Sequence, residues 1–308
     1  MKSGLGMFAR GFCMGAADVV PGVSGGTMAL ILGIYQRLLE AIRAFDIALV
    51  RLVAAQRFRD AAAHVDAVFL IILAAGIFSA LLFFTRVVSL PLLLREHPVQ
   101  IYALFFGLIV GSIAVLLRAL GQLRFRDVAC LTAGALLGLA IVNVVPFETP
   151  VDAWFVFFSG ALAICAMILP GISGSFILLL LRKYEYVFTA IGSFDFAVLV
   201  PFALGAISGL MLFSRLLVWM LRRHYRITLA TIIGMLIGSL WLLWPFQSRS
   251  YELIRGKQQL VFSTPMWPAD LGSGEIIAAM LCVAGVAAVL VMDMLARRNR
   301  PPSSPGLF

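Results

Sequence analysis

The sequence predicts an all-α polytopic membrane protein made of two related halves. Of its 308 residues, 62% are hydrophobic and 13% are charged, whereas a soluble domain is about half apolar and about one quarter charged. Several nearly uncharged stretches are long enough to cross a bilayer as helices, which takes about 20 residues. One polar segment also occurs twice, so that each half is predicted to hold a re-entrant helical hairpin and three transmembrane helices.

The repeated polar segment interrupts the apolar sequence at corresponding places. It reads ADVVPGVSGGTMALILGIY at residues 17–35 and AMILPGISGSFILLLLRKY at residues 166–184. When the second copy is laid over the first, identical residues coincide in order: Pro21 with Pro170, Gly22 with Gly171, Ser24 with Ser173, Gly25 with Gly174 and Tyr35 with Tyr184. Apolar composition alone does not align proline, glycine, serine and tyrosine in this way, which indicates an internal repeat.

The repeat continues through the later apolar stretches. Gly76–Val88 resembles Gly205–Leu217, which places Arg86 over Arg215; Ala103–Leu117 resembles Ala230–Trp244; and Cys130–Val142 weakly resembles Met280–Met292. The predicted first repeat, 1–149, has a hairpin at 5–45, an interfacial helix at 46–64 and spans at 67–88, 99–117 and 128–146. The predicted second repeat, 150–297, has a hairpin at 153–193 and spans at 196–219, 228–246 and 275–295, and a disordered tail follows at 298–308.

Two topologies are compatible with these segments. If each interrupted segment crosses the membrane once with a kink, the halves are parallel; if each is re-entrant, the halves are inverted. With re-entrant hairpins and both termini in the cytoplasm, most of the basic residues lie inside, and the acidic linker PFETPVD lies outside. Because cytoplasmic loops are enriched in Lys and Arg, this distribution favours inverted repeats.

The interruptions are predicted to form an anion site. Pro21 and Pro170 stop the first arm of each hairpin, because proline lacks an N–H group. The glycines leave the backbone accessible, and the serines are placed to cap the helix that follows. Uncapped N–H groups at a helix start bind anions, above all phosphate or carboxylate. The candidate phosphate-binding residues are Gly22, Ser24, Gly25, Gly26, Thr27, Gly171, Ser173, Gly174 and Ser175. The alternative is that the small residues only let two hairpin arms pack closely.

Three charged residues are further candidates. Asp18 adjoins the first interruption and has no counterpart, since Met167 takes its place. It is a candidate site for a coupling proton or sodium ion, or else it caps a helix end or pairs with a basic residue such as Arg37. Arg86 and Arg215 are candidates for binding an anionic headgroup, because guanidinium binds phosphate in a bidentate manner; the alternative is snorkelling at helix ends.

The remaining candidates are weaker. Tyr35 and Tyr184 are placed either to hydrogen-bond the site or to pack the hairpin arm. Arg182 and Lys183 are predicted to attract an anion, and Asp46 and Asp195 each precede a helix as N-caps. The four cysteines and three histidines lack metal-ligand spacing, so neither a metal nor a cofactor is predicted. The basic residues form short clusters between apolar runs, which argues against nucleic-acid binding.

The segments MGAADVVPGVSGGTMALILGIYQRLLEAI and LPGISGSFILLLLRKYEYV resemble the signature segments of the DUF368 family of membrane proteins. That family includes bacterial polyprenyl-phosphate transporters. The resemblance implies a carrier in the bacterial cytoplasmic membrane that returns undecaprenyl phosphate from the outer to the inner leaflet. It also implies roles for the motif positions of both hairpins; Ser175 and Phe176 replace Gly26 and Thr27 in the second copy, which predicts a less open second site.

Other functions stay open on the sequence alone. A carrier for a small soluble anion needs the same anion site, whereas a lipid carrier also needs a gap between helices that opens to the bilayer. A membrane lipid phosphatase is disfavoured, because the sequence has no cluster of nucleophile, acid and base. A purely structural protein does not need two buried anion sites. The sequence does not fix the oligomeric state, and a homo-oligomer is compatible with it.

Overall fold

A computed structural model describes residues 4–18, 24–87, 96–144, 149–254, 257–267 and 272–298. Pro21 and Gly22 and the predicted disordered tail from 299 onward lie outside these ranges. The helices are α1 (Gly4–Asp18), α2 (Gly25–Ile31), α3 (Tyr35–Arg43), α4 (Ile47–Ala54), α5 (Phe58–His64), α6 (Ala67–Arg86), α7 (Pro98–Leu120), α8 (Phe125–Val142), α9 (Ala153–Ile168), α10 (Gly174–Leu180), α11 (Tyr184–Ser193), α12 (Phe196–Arg223), α13 (Tyr225–Leu243) and α14 (Ser273–Arg298).

The protein is an all-α polytopic membrane protein. Six of the described helices, α6, α7, α8, α12, α13 and α14, are long and apolar enough to cross a membrane. They coincide with the six predicted spans, and their ends differ from the predictions by a few residues. α8 begins earlier than predicted because Asp127, in its first turn, accepts a hydrogen bond from the Arg124 N–H and caps the helix.

Each interrupted segment forms three helices rather than two. In the first segment α1 is followed by α2 and α3, and in the second α9 is followed by α10 and α11. The second arm is divided by a turn that contains a left-handed residue, Gly33 (φ 66°) in one half and Arg182 (φ 50°) in the other. The predicted interfacial helix is also divided, into α4 and α5, and its large apolar side chains Ile47, Val50 and Phe58 are exposed.

A two-stranded antiparallel sheet stands in the long connection between α13 and α14. Strand β1 (Gln247–Ile254) pairs with β2 (Lys257–Pro265), and the register shifts between Ser250 and Tyr251. The sequence analysis predicts no strand in this connection. It is the one departure from an all-helical chain in the part that the structure describes.

Glycines bring the long helices into backbone contact. α7 packs against α14, and α8 packs against α13. In each pair a Cβ atom on the glycine would collide with a carbonyl group of the other helix, so only glycine allows the observed approach. The contacts are Gly107 with Cys282, Gly285 with Leu104, Gly134 with Thr231 and Gly234 with Leu131.

These contacts are equivalent in the two halves. The approach of Gly107 to Cys282 corresponds to that of Gly234 to Leu131, with the two helices exchanged. In this comparison Gly134 corresponds to Gly285. The sequence alignment, which pairs Cys130 with Met280, instead pairs Gly134 with residue 284. The sequence alignment of the last span was therefore wrong by one position, because apolar helices without polar landmarks align equally well in neighbouring registers.

The same contacts give the relative direction of the packed helices. Along α7 and α14, Gly107 lies near Cys282 and Gly111 lies near Val286, so the two helices run in the same direction. α8 and α13 are parallel for the same reason. Since the α7–α8 connection spans only four residues, 121–124, it reverses the chain direction, and α7 and α13 therefore run in opposite directions.

The first arm of each hairpin also packs parallel to the next long helix. In the first half, Gly11 approaches Leu73 and Gly15 approaches Ile77, so α1 and α6 are parallel. In the second half, Gly160 on α9 approaches Phe202 on α12. Gly205 on α12 approaches Phe157 on α9, and Gly209, one turn later, approaches Ala161, so this pair is parallel as well.

A polar clamp joins two turns at one end of the molecule. Arg226, at the start of α13, donates to Asp127 at 2.5 Å and to the carbonyls of Leu120 and Gln122. The side chain of Asp127 is only 4% exposed. A carboxylate so well buried requires a charged partner, so the pair fixes the turn before α13 against the turn before α8.

Candidate functional site

The two interruptions meet inside the molecule. The Ser24 hydroxyl donates to the Met167 carbonyl at 3.0 Å, and the Tyr35 hydroxyl donates to the Ile168 carbonyl at 3.1 Å. In the opposite direction, the Gly171 N–H donates to the Thr27 hydroxyl at 2.8 Å. We call each interruption, together with the start of the helix that follows it, a tip. Polar groups of the first tip thus bond the backbone of the second tip, which has no helical partners there.

The start of α2 carries its own anion. Ser24 is the N-cap, as predicted, and its hydroxyl accepts from the Gly26 N–H at 3.1 Å. The Asp18 carboxylate accepts from the Gly25 N–H at 2.7 Å. Asp18 therefore caps the helix that follows the interruption. The alternative pairing of Asp18 with Arg37 is not formed, because Arg37 makes an ion pair with Asp66 at 2.7 Å.

Glycine is required at two positions of the first tip. A Cβ at Gly25 would lie 2.6 Å from an Asp18 carboxylate oxygen, and one at Gly26 would lie 2.6 Å from the Ile168 carbonyl oxygen. The first contact lets the carboxylate reach the helix start. The second lets α2 touch the end of α9.

The second tip is built differently. Gly171 adopts a left-handed conformation (φ 94°), which an L-residue rarely adopts. Ser173 occupies the N-cap position of α10 but makes no capping bond; its hydroxyl lies 2.7 Å from that of Ser175. Gly174 is buried, whereas Ser175 is exposed.

The tips differ in access. Ser24 and Thr27 are each 1% exposed, and Gly25 and Gly26 are also buried. The hydroxyl pair Ser173–Ser175 is the more accessible polar group. The sequence analysis predicted that the second tip is the less open one, and the structure shows the reverse. The first tip is the less accessible because Ser24 and Thr27 bond the opposite hairpin.

The secondary candidates lie away from the contact between the tips, with Tyr35 as the exception. Tyr184 stacks on Phe188 (ring centroids 5.4 Å apart), so the repeated tyrosines have different contacts in the two halves. Arg182 is exposed in the turn before α11. Lys183 is 2% exposed and donates to the Thr149 carbonyl at 3.0 Å.

The sequence analysis did not identify the contact that holds Lys183. Thr149, in the segment between the halves, donates its hydroxyl to the Leu181 carbonyl at 2.5 Å and accepts from Lys183 through its own carbonyl. The ammonium group also lies 5.5 Å from the Phe155 ring centroid and 5.6 Å from that of Tyr186. These contacts fasten the second hairpin to the segment that joins the two halves.

The predicted arginine pair does not reach the tips in any described contact. Arg86 is exposed at the end of α6. Arg215 lines a cleft of about 650 Å³ between the α3–α4 connection and α12. The structure therefore brings together Asp18, Ser24, Gly25, Gly26, Thr27, Tyr35, Pro170 and Gly171, and it places both arginines elsewhere.

An apolar groove of about 670 Å³ lies between α8, α13 and residues 265–267, at the end of β2. It is rich in tryptophan, and its lining includes Phe106, Leu136, Leu139, Trp241, Trp244 and Trp267. On α13, Leu236 and Ser239 pack against Gly171 of the second tip, whereas Ile237 and Trp241 line the groove, so the tip and the groove lie against different faces of this helix.

Comparison with known proteins identifies the family. The model of the undecaprenyl phosphate translocase-like family matches residues 14–261. The chain belongs to the undecaprenyl phosphate translocase-like family. A polyprenyl-phosphate transporter of Vibrio cholerae is 38% identical over 306 residues, which cover 96% of this chain and 97% of the relative. No solved structure matches the chain.

A second relative in the translocase-like family is more distant. The polyprenyl-phosphate transporter of Staphylococcus aureus is 30% identical over 256 residues, which cover 77% of this chain and 84% of that protein. The resemblance stated from the two signature segments is thus confirmed.

The tyrosine pair provides a test of the contact between the tips. Tyr35→Phe removes the donor to the buried Ile168 carbonyl and is expected to lower the free energy of unfolding in detergent by about 1–3 kcal/mol. Tyr184→Phe keeps its ring stacking and is the matched control, with an expected change below about 0.5 kcal/mol. Equal effects of the two substitutions on thermal unfolding would contradict the assigned contact.

Proposed function

We propose that this protein moves undecaprenyl phosphate from the outer to the inner leaflet of the bacterial cytoplasmic membrane. The relatives named polyprenyl-phosphate transporters, which match nearly the whole chain in one case, support the class of substrate. The observation that carries the mechanism is the meeting of the two interruptions through Ser24, Thr27 and Tyr35. We also predict that the protein is not an enzyme.

The two halves act, in this proposal, as inverted repeats with re-entrant hairpins. α1 and α6 run in the same direction, which is expected if the hairpin returns the chain to the side from which it entered. A kinked crossing would make α1 and α6 antiparallel. The opposite directions of α7 and α13, the second spans of the two halves, likewise support inversion. The distribution of basic residues supports a cytoplasmic location for both termini.

Transport then proceeds by separation of the two tips. The polar groups of the first tip are buried and paired with the second interruption, so a headgroup reaches Ser24, Gly26 and Thr27 only after those bonds break. Ser173 and Ser175 of the second tip are the first polar groups that the phosphate meets. A phosphate that accepts hydrogen bonds from these donors compensates for the bonds that the tips lose.

The apolar groove supports a lipid substrate over a small soluble anion. It lies on α13, the helix that also packs against Gly171 of the second tip, and its wall of Leu136, Trp241 and Trp244 offers an apolar surface for the polyprenyl chain. In the proposed topology the groove and the β1–β2 hairpin lie towards the outer leaflet, where the substrate enters. A soluble anion would have no use for an apolar wall of this size.

Asp18 is the proposed coupling site. Its carboxylate holds the Gly25 N–H that the substrate phosphate would otherwise bind, so carboxylate and phosphate compete for the same helix start. A proton or sodium ion bound to Asp18 weakens that hold by neutralising the charge. Ion binding at Asp18 thereby frees the Gly25 N–H for the substrate phosphate.

The proposed topology predicts the accessibility of two exposed positions. In a cysteine-free background, a cysteine introduced by Gln122→Cys is expected to react with a membrane-impermeant maleimide only from the cytoplasmic side, and one introduced by Val151→Cys only from the outer side. Both positions are exposed turns, so access is limited by the membrane alone. The reverse pattern is what kinked crossings and parallel repeats require.

The function is tested in proteoliposomes that carry labelled undecaprenyl phosphate in one leaflet. Wild-type protein is expected to move the lipid to the opposite leaflet, with inorganic phosphate uptake at the level of protein-free liposomes. A proton or sodium gradient is expected to accelerate wild type and to leave Asp18→Asn unaffected.

The matched control for Asp18→Asn is Asp195→Asn, since asparagine also serves as an N-cap at α12. Lipid movement no faster than in protein-free liposomes would refute the proposed function. A gradient response that survives in Asp18→Asn would refute the coupling role alone.

A further inference from the structure

We propose that the cleft between the α3–α4 connection and α12 is a second headgroup site, which takes a phosphate monoester carried on an apolar chain. The inference rests on the proposed function, because it assigns the cleft as the position that the lipid phosphate occupies after it has left the hairpin tips. The cleft has a volume of about 650 Å³ and is lined by Arg43, Asp46, Ile47, Ala48, Arg215, Trp219, Arg222 and Arg223.

The charge in the cleft is strongly positive and largely unneutralised. Of its four arginines, Arg222 pairs with Glu40 at 2.9 Å. Within the described ranges, no carboxylate pairs with Arg43, Arg215 or Arg223. Clustered guanidinium groups repel one another, so a cleft of this kind favours an anionic ligand, and guanidinium matches phosphate with two parallel hydrogen bonds.

The acidic residue of the cleft is already engaged. The Asp46 carboxylate accepts from the Leu49 N–H at 3.0 Å and lies 3.1 Å from His64 Nε2. The hydrogen bond from Leu49 is the main reason that the pKa of Asp46 is lowered, so this residue remains a charged N-cap of α4. It does not bridge the arginines, which leaves them available to a ligand.

The depth of the arginines fits a lipid rather than a free ion. Arg215 lies eight residues before Arg223, the last residue of α12, so the two arginines are separated by about 12 Å along the helix axis. A phosphate can pass along this row while its chain remains in the membrane. The cleft also has an apolar wall, since Ile47 is 70% exposed and Trp219 is 57% exposed. Tryptophan at such a boundary is typical of the membrane interface.

The cleft is formed by both halves of the chain. α3 belongs to the first hairpin and packs against α12 of the second half. Separation of the hairpins moves Arg43 relative to Arg215, so the cleft changes shape in the same motion that opens the tips. In the proposed topology it faces the cytoplasmic leaflet, on the side opposite to the apolar groove.

Binding of farnesyl phosphate to the full-length protein in nanodiscs of uncharged lipid tests the site. The Arg43→Gln/Arg215→Gln double variant is expected to lose one class of saturable site, with affinity there reduced at least about tenfold, the loss of about one charge-assisted hydrogen bond. Arg51→Gln/Arg59→Gln is the matched control, because it removes two exposed arginines from the neighbouring α4–α5 segment. It is expected to bind as wild type does.

A third variant, Arg43→Lys/Arg215→Lys, keeps both charges and is expected to bind more weakly than wild type but more strongly than the Gln pair. Thermal unfolding in detergent confirms that each variant is folded. An equal loss of affinity for farnesyl phosphate in the Gln pair and in the control would mean that binding depends on the general surface charge, and it would overturn the proposal. Displacement of farnesyl phosphate by an equal concentration of inorganic phosphate would overturn the assignment to a lipid headgroup.

Lipid movement in proteoliposomes separates this inference from the function itself. The Gln pair is expected to slow delivery to the inner leaflet, and the control pair is expected to leave it unchanged. If wild type moves lipid and the Gln pair binds and moves it equally well, the cleft assignment fails and the proposed function stands. If wild type moves none, the proposed function fails, whatever the cleft binds.

Discussion

The structure depends on one constraint: backbone groups that are freed by an interrupted helix within a membrane need hydrogen-bond partners. Each half of the chain interrupts one apolar hairpin. The first interruption is capped by its own Asp18 and Ser24, and the second finds its partners in the first half. Ser24, Thr27 and Tyr35 bond the backbone of residues 167–171 across the centre. In the proposed mechanism, the substrate phosphate compensates for the loss of these three bonds.

The two halves are related in their scaffold and different at their centre. The glycine contacts that pack α7 on α14 recur, residue for residue, in the packing of α8 on α13. At the tips the equivalence ends: Tyr35 bonds across the centre while Tyr184 stacks on Phe188, and Asp18 has Met167 in its place. In the proposed mechanism, this symmetric frame with an asymmetric centre provides one transport route, with the ion site on one side only.

Much of this architecture was accessible from the sequence. Proline and glycine within apolar segments, repeated with the same spacing, located both helix interruptions, and hydropathy located the six spans. Ser24, Asp46 and Asp195 were recognised as caps because capping is a local interaction between neighbouring residues. Recurrent glycines four residues apart, as at Gly107 and Gly111, could also have indicated the close helix pairs.

The site was harder to predict, since its contacts join residues more than 130 positions apart. No local pattern shows that Asp18 bonds the Gly25 N–H, that Arg37 pairs with Asp66, or that Lys183 is held by Thr149. The prediction that Arg86 and Arg215 accompany the tips rested on their recurrence in the repeat. Recurrence gives equivalent positions in two halves, but it does not give proximity to a third element.

Cross-linking of the two tips tests the central claim most directly. Ser24 Oγ and the Met167 carbonyl oxygen are 3.0 Å apart, so Ser24→Cys and Met167→Cys, combined in a cysteine-free background, should be joined by a short bis-methanethiosulfonate cross-linker, which reduction cleaves. The account predicts that the cross-linked protein does not move undecaprenyl phosphate in proteoliposomes and that reduction restores the rate of the untreated double variant, whereas the reagent leaves each single variant at its own untreated rate. Unchanged lipid movement with the cross-link fully formed would contradict it.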